Sequence, residues 1–298
     1  MKNSLTAKIL ILTTIIAIGF SAFIIMPKIT KIKKVSAVLK FIEPNTKIKI
    51  LIVPGHEPDN GGADEYKKIK ERDLNLQLSQ ILKTDLSVNP NIEVILARSD
   101  LGWNQDLENY VNTNQTQIMS WVANMKEIFL TKASEGQIKI INPNMKHNEA
   151  TSSAVLFLYG TNKWIEENKI DLVLHIHFNN NPKINGKPNF RGYCMYIPEK
   201  QYSNFSSSKI FANYLDEEIS KIENKSNMPQ EKDNIIEDQE LIATGNYGTL
   251  KIPSVVMEYA YIYEPMMVSS GTRNAFIEKA ASSTAYAINR YIENELKK

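Results

Sequence analysis

Cysteine, histidine and, over the first forty positions, acidic residues are scarce in this sequence. A single Cys194 among 298 residues excludes an intramolecular disulfide framework and any cysteine-cluster metal site. Only four histidines occur: His56, His147, His175 and His177. Glycine and proline, at 12 each, are too sparse for a collagen-like or low-complexity chain, and 43% hydrophobic residues exclude wholesale disorder. Residues 1–40 hold seven lysines and no aspartate or glutamate. Taking those seven from 35 basic residues leaves 28 against 33 acidic ones, a net of −5 over residues 41–298 beneath an overall +2. So mildly acidic a body lacks the basic surface that non-specific nucleic-acid binding needs. At this length one large α/β domain, or two small ones, can bury a core.

One long apolar run is present. Ile9 to Met26 is 18 residues without a charge, bracketed by Lys2 and Lys8 before and by Pro27 and Lys28 after. As a helix it would be about 27 Å long, enough for a thin bilayer core. The competing reading, a cleaved signal peptide, has a shorter apolar region closed at once by small residues. Here the best such triplet, Val35-Ser36-Ala37, lies beyond four lysines. The expectation is an uncleaved, single-pass anchor over 9–26, with a basic flank at 1–8 and a polar connector at 27–46. Lysine counts leave its orientation open.

After the connector, short β-branched runs alternate with helical spacing. Ile48–Val53, Ile92–Leu96, Leu172–Ile176 and Ser254–Glu258 read as strands, and Gly192–Ile197 as a fifth. Leu74, Leu78, Ile81, Leu82 and Leu86 repeat at helical spacing, as do Phe211, Leu215 and Ile219, and a last helix is expected over about 272–296. The alternation predicts a three-layer α/β/α domain around a mixed, mostly parallel sheet over 47–298. Apolar residues from Trp103 to Phe129 keep one face for some seven turns, which predicts one long amphipathic helix within a helical insertion at about 101–150.

Polar residues that interrupt these strands are the candidates for chemistry. His56 follows Val53-Pro54-Gly55, where the carboxyl edge of an α/β sheet opens into a crevice; alone it reads as a loop residue. Glu71 opens a helix and by itself reads as a first-turn carboxylate. His175, His177 and Asn179 lie two apart and so share a strand face, a polar row that something must satisfy. Glu258 interrupts an otherwise buried strand, as an ion-pair partner or as a carboxylate beside a metal. His56, Glu71 and His177 could together supply the nitrogen, oxygen and nitrogen ligands of a one-zinc site with an open position, and Glu258 a base near it. Spacing alone does not establish that they converge.

Six blocks, in order, resemble the amidase-3 family of zinc-dependent N-acetylmuramoyl-L-alanine amidases. They are Ile50–His56 with Asp59-Asn60-Gly61-Gly62-Ala63, Glu71–Leu76, Ile95–Asp100, Asp171–Asn179, Gly192–Tyr196 and Pro253–Glu258. The resemblance implies that His56, Glu71 and His177 bind one Zn2+ and that Glu258 is catalytic, with His175, Asn179 and Arg98 as neighbours of the ligands or of substrate. It implies a peptidoglycan substrate cut between N-acetylmuramic acid and L-alanine, hence an extracytoplasmic domain held at the cytoplasmic membrane by residues 9–26. The sequence departs from the family pattern at Glu57-Pro58 and at His175, which stands where serine is usual. His175 is left as a partner of the ligands, a core residue or a rival ligand. Because some members carry a helical element over the zinc, the insertion could act as a gate, with Glu108 or Glu127 reaching the metal and a protein activator acting on 101–150. Two other functions stay open: a catalytically silent wall-binding or regulatory domain, and another zinc peptidase or amidohydrolase.

Overall fold

The computed structural model describes residues 47–58, 68–142, 150–180 and 190–297. The expected anchor at 9–26 and its connector, the run Asp59–Ala63, His147 and the stretch 181–189 lie outside the described residues. Among the described residues no helix is long and apolar enough to cross a membrane.

Strand β1 (Ile48–Pro54) leads to helix α1 (Glu71–Leu86), then β2 (Ile92–Leu96) and a small hairpin of β3 (Arg98–Ser99) and β4 (Gly102–Trp103). Three helices follow, α2 (Gln105–Thr113), α3 (Gln115–Ser134) and α4 (Ser152–Glu167). The chain then runs through β5 (Leu172–Asn179), β6 (Cys194–Pro198), α5 (Phe205–Ile219), β7 (Ile235–Asp238), β8 (Ser254–Tyr261) and α6 (Ser270–Tyr291). Six strands form one sheet in the order β2-β1-β5-β8-β6-β7. The first four run parallel, β6 is antiparallel to β8, and β7 is parallel to β6. The sheet is therefore mixed and mostly parallel, as expected.

Helices cover both faces. Ile50 and Ile52 of β1 and Leu172, Leu174, Ile176 and Phe178 of β5 pack with α1, α5 and α6 in the larger core. The alternate residues Leu51, Val53 and Val173 pack with Leu107, Val111, Ile118 and Val122 of α2 and α3 and with Trp164 and Ile165 of α4. Because successive side chains of a strand point to opposite faces, strands apolar at every position are needed to bury both layers. Each fully buried Leu or Ile contributes about 1.5–3 kcal/mol.

Two details differ from expectation. The seven-turn helix is two helices, broken at Asn114, whose backbone leaves helical geometry (φ −110°, ψ 18°) while its side chain Nδ2 donates to Tyr110 O at 2.7 Å. Asparagine favours such ends because its amide competes with the backbone ladder. Helix α4 was not foreseen. Its Tyr159, Trp164 and Ile165 fill the second core with α2 and α3, so that the apolar faces of all three helices are turned inward.

Candidate metal centre

The carboxyl ends of β1, β5 and β8 lie side by side, and the polar residues of the sequence gather there. Gly55 continues β1, its N–H donating to Ile176 O of β5 at 2.8 Å. A side chain at Gly55 would collide with Cε1, Nε2 and Nδ1 of His177, so only glycine lets this turn pass beneath the imidazole. His56 follows with a left-handed backbone (φ 67°), a conformation costing about 1–3 kcal/mol that persists where the surroundings impose it.

Glu71, the first residue of α1, is buried beneath both histidines. Its Oε1 lies 3.0 Å from His177 Nδ1 and accepts from Phe178 N–H at 3.3 Å and from Asn75 Nδ2 at 3.3 Å. Its Oε2 lies 2.7 Å from His56 Nε2. That contact is close but not aligned as a hydrogen bond, and His56 Nε2 is a buried nitrogen without an aligned partner. Burial alone would raise the Glu71 pKa, but the hydrogen bond with His177 and the close approach of His56 outweigh it and hold the carboxyl well below the usual range. The group is thus a carboxylate ready to ligate.

One ligand atom each from His56, Glu71 and His177 lies within 4.8 Å of the others. Tetrahedral ligands at about 2.0–2.1 Å from an ion stand about 3.3 Å apart, so the cluster has the span of a single-ion site. The nitrogen, oxygen and nitrogen donors, and the misaligned nitrogen of His56 facing the carboxylate, fit a shared cation. All three residues that the sequence singled out as ligands are brought together.

Glu258 pairs in register with His177 on β5 and with Cys194 on β6, so its Cα sits one strand spacing from the metal-binding strand. Its Oε2 is buried with no hydrogen-bond partner among the described residues. Burial, followed by the charges of Glu71 and Glu231, pushes its pKa well above the ordinary carboxylate value. Beyond it the β5–β8 register shifts between His177 and Asn179, a bulge of the kind that re-aims side chains at sites.

The remaining candidates have distinct places. His175 is 2% exposed and bonded to the backbone of Ala243; burial, and then the charge of His177, lowers its pKa to about 3. It is a neutral core histidine outside the ligand cluster. Asn179 donates to Glu231 Oε1 at 3.0 Å. Arg98 is buried and bonds to backbone carbonyls; burial first, and then Arg72, lowers its pKa to about 10. Glu108 and Glu127 do not join the ligand cluster, contrary to the gate expectation. The buried faces of α2 and α3 are spent on the second core, which leaves Glu127 on the solvent side.

Two residues of the site carried no legible function in the sequence. Asn75 bridges Glu71 Oε1 and Gly55 O; its spacing of four from Glu71 was the available signal. Glu231 is a buried carboxylate that accepts from Asn179, Tyr196, Ser226 and Tyr261. It lies in a single turn after Pro229, where no periodicity marks it.

A family model described as N-acetylmuramoyl-L-alanine amidase matches residues 50–290. The fold is similar to that of CwlD from Clostridioides difficile, solved in complex with the GerS lipoprotein (TM-score 0.52, 16% identity, 83% of this chain and 99% of that one). It is also similar to Ami1 from Mycobacterium smegmatis (TM-score 0.52, 11% identity, 85% and 100%). CwlV from Bacillus (Paenibacillus) polymyxa var. colistinus gives a TM-score of 0.50 at 17% identity, over 82% and 98%. No curated protein matches the chain in sequence. With its His-Glu-His cluster at the carboxyl edge of the sheet, the chain belongs to the amidase-3 family of N-acetylmuramoyl-L-alanine amidases.

Proposed function

We propose that this amidase is a one-zinc, membrane-anchored hydrolase that cuts the amide between N-acetylmuramic acid and L-alanine of peptidoglycan during cell-wall remodelling. The observation that carries the reading is the convergence of His56, Glu71 and His177 beside the unpartnered carboxyl oxygen of Glu258. His56, Glu71 and His177 would hold the ion. A zinc there supplies Lewis-acid polarisation of the scissile carbonyl and lowers the pKa of a water. Glu258, as the carboxylate, would take the proton of the attacking water and hand it to the leaving amine; the burial that raises its proton affinity favours the first of these transfers. Hydrogen bonding to His177 holds Glu71 as a carboxylate despite its burial, so its oxygens are available to an ion at neutral pH.

The uncharged run 9–26, with lysines on both sides, supports anchoring, and a peptidoglycan substrate supports an extracytoplasmic domain. A protein activator acting on residues 101–150 is part of the same proposal. Its support is the exposed Met119, Ile128 and Leu130 of α3 and a fold neighbour solved with a lipoprotein.

The test measures zinc content and release of stem peptide from purified peptidoglycan for the full chain, His177→Ala and Glu258→Gln. We expect His177→Ala to lose both zinc and turnover. Glu258→Gln should keep zinc and lose about 10²–10⁴-fold in rate. A zinc-loaded parent that leaves the muramic acid–alanine link intact would contradict the assignment.

A further inference from the structure

Arg98 is 3% exposed, and its described partners are three main-chain carbonyls rather than an acid. Nε donates to Pro54 O at 3.1 Å, and Nη2 donates to Gly55 O at 2.8 Å and to Arg72 O at 2.7 Å. Pro54 and Gly55 immediately precede His56, and Arg72 immediately follows Glu71. One guanidinium therefore holds the backbone next to two of the three clustered residues, which stand 15 positions apart in the chain.

Asp73, Asp100 and Glu71 lie near enough to favour a cation here, but burial and then Arg72 outweigh them, so charge alone does not account for an arginine at this position. The start of α1 carries the positive end of the helix dipole, and burial disfavours the charged form. What arginine offers is a planar fork of donors that can address several carbonyls in a fixed geometry, which the point charge of lysine cannot match. The carbonyls it takes also need fixing. Gly55 is held through its N–H by Ile176 O of β5 and through its carbonyl by Arg98 and by Asn75, the residue that also donates to Glu71. Gly55, which leads into the left-handed His56, is thereby pinned at both its N–H and its carbonyl.

We propose that Arg98 is a positioning residue for the metal centre, its three hydrogen bonds setting the separation between the turn that carries His56 and the helix start that carries Glu71. The proposal rests on reading those residues as metal ligands.

The test is zinc affinity by competition with a chromophoric chelator, for the full chain and for Arg98→Lys, with Leu174→Ala as a destabilised core control and His177→Ala as a ligand control. Loss of an outer partner of metal ligands costs about 10- to 100-fold in affinity, and Arg98→Lys should show that loss with the unfolding midpoint of its metal-free form near that of the parent. Leu174→Ala should show the reverse, a lowered midpoint and parental affinity. Arg98→Lys binding zinc as tightly as the parent overturns the proposal. If Arg98→Lys does not fold, Arg98→Gln takes its place, and failure of both to fold also overturns it, because the clamp would then serve the fold. A parent that binds no better than His177→Ala removes the metal reading itself, an outcome distinct from loss of the clamp alone.

Discussion

The two faces of β5 make opposite use of burial. One face is Leu172, Leu174, Ile176 and Phe178, each fully buried in the larger core. The other is Val173, His175, His177 and Asn179, where His175 Nε2 is buried without a hydrogen-bond partner and the half-buried His177 and Asn179 bond to Glu71 and Glu231. The first face stabilises the domain. The second stabilises less, since a buried polar atom without a hydrogen bond is unfavourable, and its outer residues His177 and Asn179 serve the site instead. The same strand therefore serves as scaffold and as site, divided by the two-residue period of the backbone.

Substitutions on each face should separate these roles. The largest stability effect belongs to the apolar face. Leu174→Ala should cost about 2–5 kcal/mol in denaturant unfolding, because a cavity is left in a fully buried layer. Next is Gly55→Ala, where the added methyl meets the His177 ring. We expect about 1–3 kcal/mol of destabilisation together with weakened zinc binding, so this variant should move both observables. The smallest effect at neutral pH is that of His175→Asn. A histidine held neutral in the fold, with its pKa lowered to about 3 from 6.5, contributes stability that is complete above 6.5 and is lost as pH falls through that value toward 3. His175→Asn should flatten the acid limb of the metal-free stability profile by at most about 1.4 kcal/mol per pH unit. It should keep parental zinc affinity; loss of zinc would make His175 a ligand after all.

The parallel strands were legible because strands buried on both faces are apolar at every position, and a polar residue in one stands out. His177 and Glu258 were found that way. The strands run further than their apolar runs, to Asn179 and Tyr261, because pairing between β5 and β8 continues through polar residues. Strand β7, a four-residue edge with two acids, had no such pattern, and the reversed direction of β6 depends on a connection that composition does not encode. Arg98 was legible as a site residue but not as a clamp, since hydrogen bonds to carbonyls leave no mark on the sequence. The break at Asn114 leaves no mark in the periodicity, because the apolar stripe continues across it.

The central claim is that His56, Glu71 and His177 hold one zinc. Anomalous diffraction at the zinc edge from crystals of the full chain tests it most directly. The account predicts one peak, with a nitrogen of His56, an oxygen of Glu71 and a nitrogen of His177 at about 2.0–2.2 Å from it. A peak ligated by His175, or a zinc-soaked crystal with no peak between these three residues, would contradict it.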